Sequence, residues 1–364
     1  MNRFKFSIFI GLFFIGLLSS CEKDEPTSSG GSSTTVAEDK QNIKATFDNT
    51  LVCFEQLKDG DFFQAIMNFL QLQNGNVINE NWVSNMFDEM DNVVDLEWVD
   101  ENNRFSLAQY SGNYTWNHSS ETWGKTNSSQ IVINFPSDKN KTSNNCTFTV
   151  SEYQDESFTV DNEKVYLPKS LKAKLLKDGV EMFNINMSCT YNSSGFPMPI
   201  DATISILLNP QTYTFKIKRL TNTQFELSAS LNSAAGCSSK FSTKISLANS
   251  DYQNLDLDDD INNIQFDYSK DDININGVWD VKTFNSISNP KTEDINNTIN
   301  FVVKYKQQKI GDLKFKDLGN QRELFIFYKD QSSENTALYY DVFFSDFKSI
   351  FQQYFDVDDL DLDI

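Results

Sequence analysis

Phe183-Asn184-Ile185-Asn186-Met187-Ser188-Cys189-Thr190-Tyr191-Asn192 alternates apolar and polar residues without a break. A strand turns successive side chains to opposite faces. Phe183, Ile185, Met187, Cys189 and Tyr191 therefore share one face, and the asparagines and hydroxyls share the other. One apolar and one wet face is the pattern of an antiparallel sheet, because parallel sheets are covered on both sides. Lys177-Asp178-Gly179 just upstream predicts a hairpin, with Leu171, Ala173 and Leu175 on the strand before it.

The same period extends in both directions. Upstream, Gly112, Tyr114 and Trp116 form one face before the turn Asn117-His118-Ser119-Ser120, and Trp123 begins the return. Ile131, Ile133 and Phe135 alternate, as do Cys146, Phe148 and Val150. Downstream, Ile204, Ile206 and Leu208 lead into an Asn209-Pro210 turn. Strands follow at Tyr213, Phe215 and Ile217, at Phe225, Leu227, Ala229 and Leu231, and at Phe241, Ile245 and Leu247. Parallel pairing needs long crossovers, and no helical pattern separates these strands. An acidic interruption over residues 249–263 marks a possible subdivision. Beyond it, Asn276-Gly277 predicts a turn before Val278, Trp279 and Val281. Ile299, Phe301, Val303 and Tyr305 alternate, then Leu313 and Phe315. Leu324-Phe325-Ile326-Phe327-Tyr328 is apolar on both faces and predicts a central, doubly covered strand. Phe343, Phe347, Ile350, Phe351 and Tyr354 predict a C-terminal helix before an acidic, frayed end.

Residues 41–100 carry a helical period instead. Ile43, Phe47, Leu51, Phe54 and Leu57 form one stripe, broken at Lys58-Asp59-Gly60-Asp61. Phe62, Phe63, Ile66, Met67, Phe69 and Leu70 form a second, which suggests a helical hairpin. After the turn at Asn74-Gly75-Asn76, Trp82, Val83, Met86, Phe87 and Met90 form a third. The expected fold is α+β. A helical segment, residues 41–100, packs on a large, mostly antiparallel sheet, residues 101–364, that is curved, half-barrel or sandwich-like and ends in a C-terminal helix. It forms one compact unit or two halves sharing a sheet.

The N-terminus reads differently. Arg3 and Lys5 precede the apolar run Phe6 to Leu18, then Leu18-Ser19-Ser20-Cys21. A basic flank, a short apolar core and small residues make a signal peptide, residues 1–20, too short to span a bilayer. Leu18-Ser19-Ser20-Cys21 resembles the bacterial lipobox, and Glu22-Lys23-Asp24-Glu25 is similar to the surface-export signal of Bacteroidota lipoproteins. The resemblance covers residues 1–25. It implies cleavage before Cys21, acylation of its thiol, and an outer-membrane protein exposed at the cell surface. Several acyl chains, at about 0.8 kcal/mol per buried CH₂, make a stable anchor. Residues 21–40, rich in Ser, Thr and Gly, read as the lipidated cysteine and a flexible tether.

The chain of 364 residues carries 51 acidic against 31 basic residues, a net charge of −20. Such a protein repels phosphate backbones, which excludes nucleic acid as a partner. It also repels anionic headgroups, so the lipid at Cys21 must hold the membrane. Cys53, Cys146, Cys189 and Cys237 match no zinc spacing. They are either buried small hydrophobes or, in an exported protein, members of a disulfide set with three connectivities.

No catalytic motif stands out. His118, the one histidine, sits in a polar turn beside Ser119 and Ser120, without the acid and activated serine of a triad. Asp256, Asp258, Asp260, Asn262 and Asp267 follow calcium-loop spacing, but Ile261 stands where the loop needs glycine and no glutamate closes it. Asp356, Asp358, Asp359, Asp361 and Asp363 lie on a terminal tail. Tyr114, Trp116, Trp123 and Trp279 could serve as platforms for sugar rings, though alternating strand aromatics usually fill a core. No cofactor or metal site is expected, and the ligand-binding residues stay unassigned. The expected function is a non-catalytic, lipid-anchored binding or accessory module, with a glycan or an envelope protein as partner. The rivals are a surface glycan hydrolase using Asp or Glu and a carrier holding an apolar ligand.

Overall fold

The computed structural model of the protein describes residues 34–58, 60–74, 82–138, 140–192, 195–233, 237–319 and 321–339. Cys21, the signal peptide, most of the tether and the expected C-terminal helix lie outside them. The described residues fall into two compact units. The first is built from Gln56–Arg219, the second from the residues up to Glu55 together with those from Leu220 onward. The acidic interruption at residues 249–263 lies inside the second unit. No helix among the described residues is long and apolar enough to cross a membrane.

The first unit holds the helices α2 (Asp61–Asn74), α3 (Trp82–Val94) and α4 (Leu107–Tyr110). Its strands are β1 (Gly112–Asn117), β2 (Thr122–Thr126), β3 (Ile131–Phe135), β4 (Cys146–Val160), β5 (Glu163–Lys177), β6 (Val180–Tyr191), β7 (Pro199–Leu208) and β8 (Gln211–Thr221). They lie in the order β2-β1-β3-β4-β5-β6-β7-β8. All neighbours are antiparallel except β1 and β3, which run parallel, β3 lying on the side of β1 away from β2. The alternation at residues 183–191 is realised as β6, in register with Leu171 to Leu175 on β5. The turn at Asp178 and Gly179 has positive φ at both residues, which is why an Asp-Gly pair sits there.

Helix side chains pack on apolar strand residues. Phe62 stacks on Phe183 at 5.6 Å, and Phe69 packs against Phe135 at 4.8 Å. Buried Asn68 donates to the Pro136 carbonyl (2.5 Å). On α3, Val83, Met86, Met90 and Val93 recur at three and four and are buried, while Phe87 meets Phe148 at 5.8 Å. Burying each such side chain contributes about 1.5–3 kcal/mol.

The second unit repeats the principle with one long helix, α1 (Val36–Lys58), and the strands β9 (Gln224–Ser233), β10 (Ser238–Leu247), β11 (Ile261–Lys270), β12 (Ile273–Trp279), β13 (Ile299–Tyr305), β14 (Gln308–Leu318), β15 (Gln321–Tyr328) and β16 (Ser333–Asn335). These are antiparallel and lie in sequence order. The short helices α5 (Leu257–Asp260), α6 (Val281–Asn285) and α7 (Thr292–Thr298) occupy the connections. Ile43 of α1 sits in a cluster with Ile273, Val303, Ile310, Leu313, Ile326 and Tyr328.

Several expectations are corrected. Residues 36–40, assigned to the tether, are helical, and the reason is a capping box: the Thr35 amide donates to Glu38 Oε2 (2.7 Å) while the Glu38 amide donates to Thr35 Oγ1 (3.3 Å). Asp39 is fully buried there, accepting from the Thr34 hydroxyl and lying 3.5 Å from Lys329 Nζ. Asn276-Gly277 is no turn but the middle of β12. A Cβ on Gly277 would lie 2.1 Å from the Asn300 carbonyl, so glycine serves close strand approach. The real reversal is at Asp271 and Asp272, with Asp271 at φ 49°. The strand of residues 324–328 is not central. It neighbours the three-residue β16, and its outward Phe325 is covered by Lys316, whose ammonium stands 5.2 Å from the ring.

Cys53 and Cys237 form a disulfide that ties α1 to the segment entering β10, while Cys146 and Cys189 are buried free thiols. Burial pushes these two thiols up to about 11 and about 12. The disulfide closes a separation of 184 residues, and a loop of that length corresponds to about 5 kcal/mol of chain entropy as an upper figure. Cys53→Ser should therefore lower the denaturant midpoint by several kcal/mol equivalent, and non-reducing peptide mapping should link Cys53 to Cys237 alone. Alkylation of Cys146 or Cys189 without denaturant would contradict their burial.

Candidate functional site

The connection from α3 to α4, residues 95–106, has no helical or strand period, and it is fixed by side chains. Arg104 donates to both oxygens of Asp155 on β4 (2.5 and 2.8 Å) and to Glu101 (3.3 Å). Such two-pronged charge-assisted pairing gives geometry as well as energy. The guanidinium lies over the Tyr166 ring at 4.3 Å, and Lys164 Nζ lies 4.7 Å from the same ring. The Tyr166 hydroxyl donates to Glu101 and, with the neighbouring cations, holds that carboxyl below its ordinary range. Val99 and Tyr166 exchange backbone hydrogen bonds (3.2 and 2.9 Å). Asp100 accepts from the Asn102 and Asn103 amides (2.8 and 3.0 Å), closing a tight turn.

This pinned loop presents Trp98, which is 39% exposed. Its ring packs on Phe196 at 4.7 Å and an interplanar angle of 53°. Phe196 sits on the β6–β7 connection, which is also fixed from within. Asn192 Nδ2 donates to the Phe196 carbonyl (2.6 Å), and the Met198 amide donates to Asn192 Oδ1 (2.7 Å). The result is an aromatic pair held at the surface by two braced loops.

Two further acids of this unit are perturbed. Burial raises the Glu89 carboxyl, opposed by a hydrogen bond from the Tyr110 hydroxyl (2.8 Å). Asp95 is pushed up to about 6, first by burial and then by Asp91 and Glu97. Both oxygens of Asp155 are engaged by Arg104, and Glu101 is tied to Tyr166, so this cluster braces the loop.

In the second unit, an open groove of about 540 Å³ is lined by Asn262, Asn263, Gln265, Val278, Asp280 and Lys282.

The residues singled out in the sequence are dispersed. His118 Nε2 lies 3.1 Å from Asn144 Oδ1, and the Ser120 hydroxyl pairs with Thr122. The Asp256 amide donates to Asp260 Oδ2 (3.0 Å), while Asp267 sits out on β11 beside Asn274. Among the described residues no group of three or more His, Cys, Asp or Glu could hold a metal ion. Tyr114 and Trp116 are buried, with Trp82 stacked on Tyr114 at 4.1 Å. Trp123 and Trp279 pack edge-on against Trp116 and Phe284. The terminal aspartates lie outside the described residues. Trp98 was missed because it belongs to no alternating stretch. Its signal was a tryptophan set among Asp95, Glu97, Asp100 and Glu101, where no strand or helix face could bury it.

Two outcomes test this geometry. Arg104→Met keeps the stem but leaves Asp155 without its partner, and should cost about 2–3 kcal/mol and speed hydrogen exchange in residues 95–106. For Asp95, the folded carboxyl holds its proton up to about pH 6, so stability falls as pH rises through the window from the ordinary value to about 6. Asp95→Asn should then gain about 1 kcal/mol at pH 7.5, discounted for the half-exposed carboxylate. No gain is expected at pH 3. Equal gains at both would show that charge is not the cause.

No family model, no curated protein and no solved structure matches this chain.

Proposed function

We propose that the protein is a lipid-anchored cell-envelope protein, acylated at Cys21 and facing outward from the outer membrane. There it acts as a non-catalytic binding or accessory module toward glycan. The observation that carries the binding part is Trp98, exposed beside Phe196 on a loop braced by Arg104 and Asp155. A tryptophan partly exposed and packed on a second ring offers apolar surface at low ordering cost, which suits the C–H face of a sugar ring. The Cys53–Cys237 disulfide supports an exported protein, since disulfides persist in oxidising compartments. The net charge of −20 argues against nucleic acid.

A glycan-directed hydrolase is the second reading, favoured by Glu89, whose raised carboxyl has one buried oxygen with no hydrogen-bond partner among the described residues. The groove in the second unit is lined by amides and charges, which lends no support to an apolar-ligand carrier.

The test uses membrane-purified protein. Intact mass should show an acylated N-terminal Cys21, and Cys21→Ala should release the protein from the membrane. Affinity electrophoresis through envelope polysaccharide should retard the wild type, and Trp98→Ala should abolish the retardation while leaving thermal unfolding unchanged. Turnover of the polysaccharide that disappears in Glu89→Gln would replace the binding reading with the hydrolase.

A further inference from the structure

The groove of the second unit is made by a strand irregularity. Leu247 pairs with Ile261 and Ser246 with Asn263, so Asn262 is an extra residue in β11. A bulge of this kind re-aims side chains and is common beside binding sites. Here Asn262 and Asn263 line the same groove, with Gln265 one strand period further on. Asn262 Nδ2 donates to the Leu247 carbonyl (3.1 Å), which fixes the bulge. Beside Gln265, its direct partner on β12 is Val278, 41% exposed, which also lines the groove. The chain then turns at Asp280, whose carboxylate accepts from the Thr283 amide (3.0 Å) and hydroxyl (2.7 Å) and is held in place by both. Those bonds also keep the carboxyl below its ordinary range.

The chemistry of this lining is specific. Side-chain amides both donate and accept, and a carboxylate oxygen accepts more than one hydrogen bond. The lining holds one cation, Lys282, and one anion, Asp280, so it has no excess charge to draw a phosphate or a carboxylate. The exposed Val278 supplies a small apolar surface between the polar groups. We infer that this groove is a second binding site of the protein, taking an uncharged, hydroxyl-rich ligand: a neutral saccharide residue. Asn263 and Gln265 bond its hydroxyls, Asp280 accepts from a neighbouring hydroxyl pair, and Val278 meets a ring C–H face. The inference rests on the reading of the chain as a binding module but uses a different surface from Trp98.

Ligand-observed saturation-transfer NMR on the mature chain tests it, with glucose, galactose, mannose and N-acetylglucosamine as probes and glucuronate as the charged control. At least one neutral sugar should show transfer to its ring protons. Binding should weaken by about tenfold or more in Asn263→Ala/Gln265→Ala, as expected for two lost hydrogen bonds, and should persist in Trp98→Ala. Gln265→Lys, at an exposed strand position, is the second variant and should also block the site. Absence of transfer from every neutral sugar overturns the inference, as does equal transfer in both groove variants or a preference for glucuronate. Transfer lost only in Trp98→Ala overturns the groove and leaves the binding-module reading standing.

Discussion

Water sets the first condition on this chain. Strand after strand carries an apolar row on one side only, and a sheet with one apolar face cannot stay uncovered. In the first unit, Phe69, Val83, Met86 and Phe87 supply the cover, meeting Phe135 and Phe148 on the strands. In the second, Ile43 does so, with Val36 and Phe47 packed against its cluster, and α1 is locked by Asp39 with Lys329 at the helix start and by Cys53 with Cys237 near its end. The helices are therefore part of each core. The opposite strand faces, with Asn184, Asn186, Ser188 and Thr190 as the pattern, remain free to meet water.

Once the apolar faces are spent on folding, working surfaces are left to the connections and irregularities. Both candidate sites arise that way. Trp98 stands on the loop between α3 and α4, where Arg104, Asp155, Glu101 and Tyr166 bond one another and the indole stays partly exposed. The amide groove arises where β11 carries one residue more than β10 can pair. In each, rigid scaffold holds a few side chains in the open, as preorganised recognition requires.

The strands were legible because period two survives any tertiary arrangement. Phe183 to Tyr191 and the Asp178-Gly179 turn are found where the alternation placed them. The α3 stripe of Val83, Met86 and Met90 was legible for the same reason. Three features were misread, each through a rule with two physical causes. Glycine after asparagine serves a turn or a close strand approach, and Gly277 serves the second. A doubly apolar strand is central or is covered near an edge, and β15 is the latter. Thr35 and Glu38 carried a helix-start signal inside a stretch whose composition suggested tether. The site was less legible still. Arg104 and Asp155 are 51 residues apart, and no local pattern foretells a pairing across that distance. Trp98 shows only as an aromatic without periodic neighbours.

The aromatic pair of Trp98 and Phe196 is proposed as the working surface. Hydrogen-exchange mass spectrometry of the protein, with and without solubilised envelope glycan, is the test. The account predicts slowed exchange confined to residues 95–106 and to the connection around Phe196, with the strands unchanged. Slowed exchange elsewhere with none at these two loops would contradict it, and so would no change at saturating glycan.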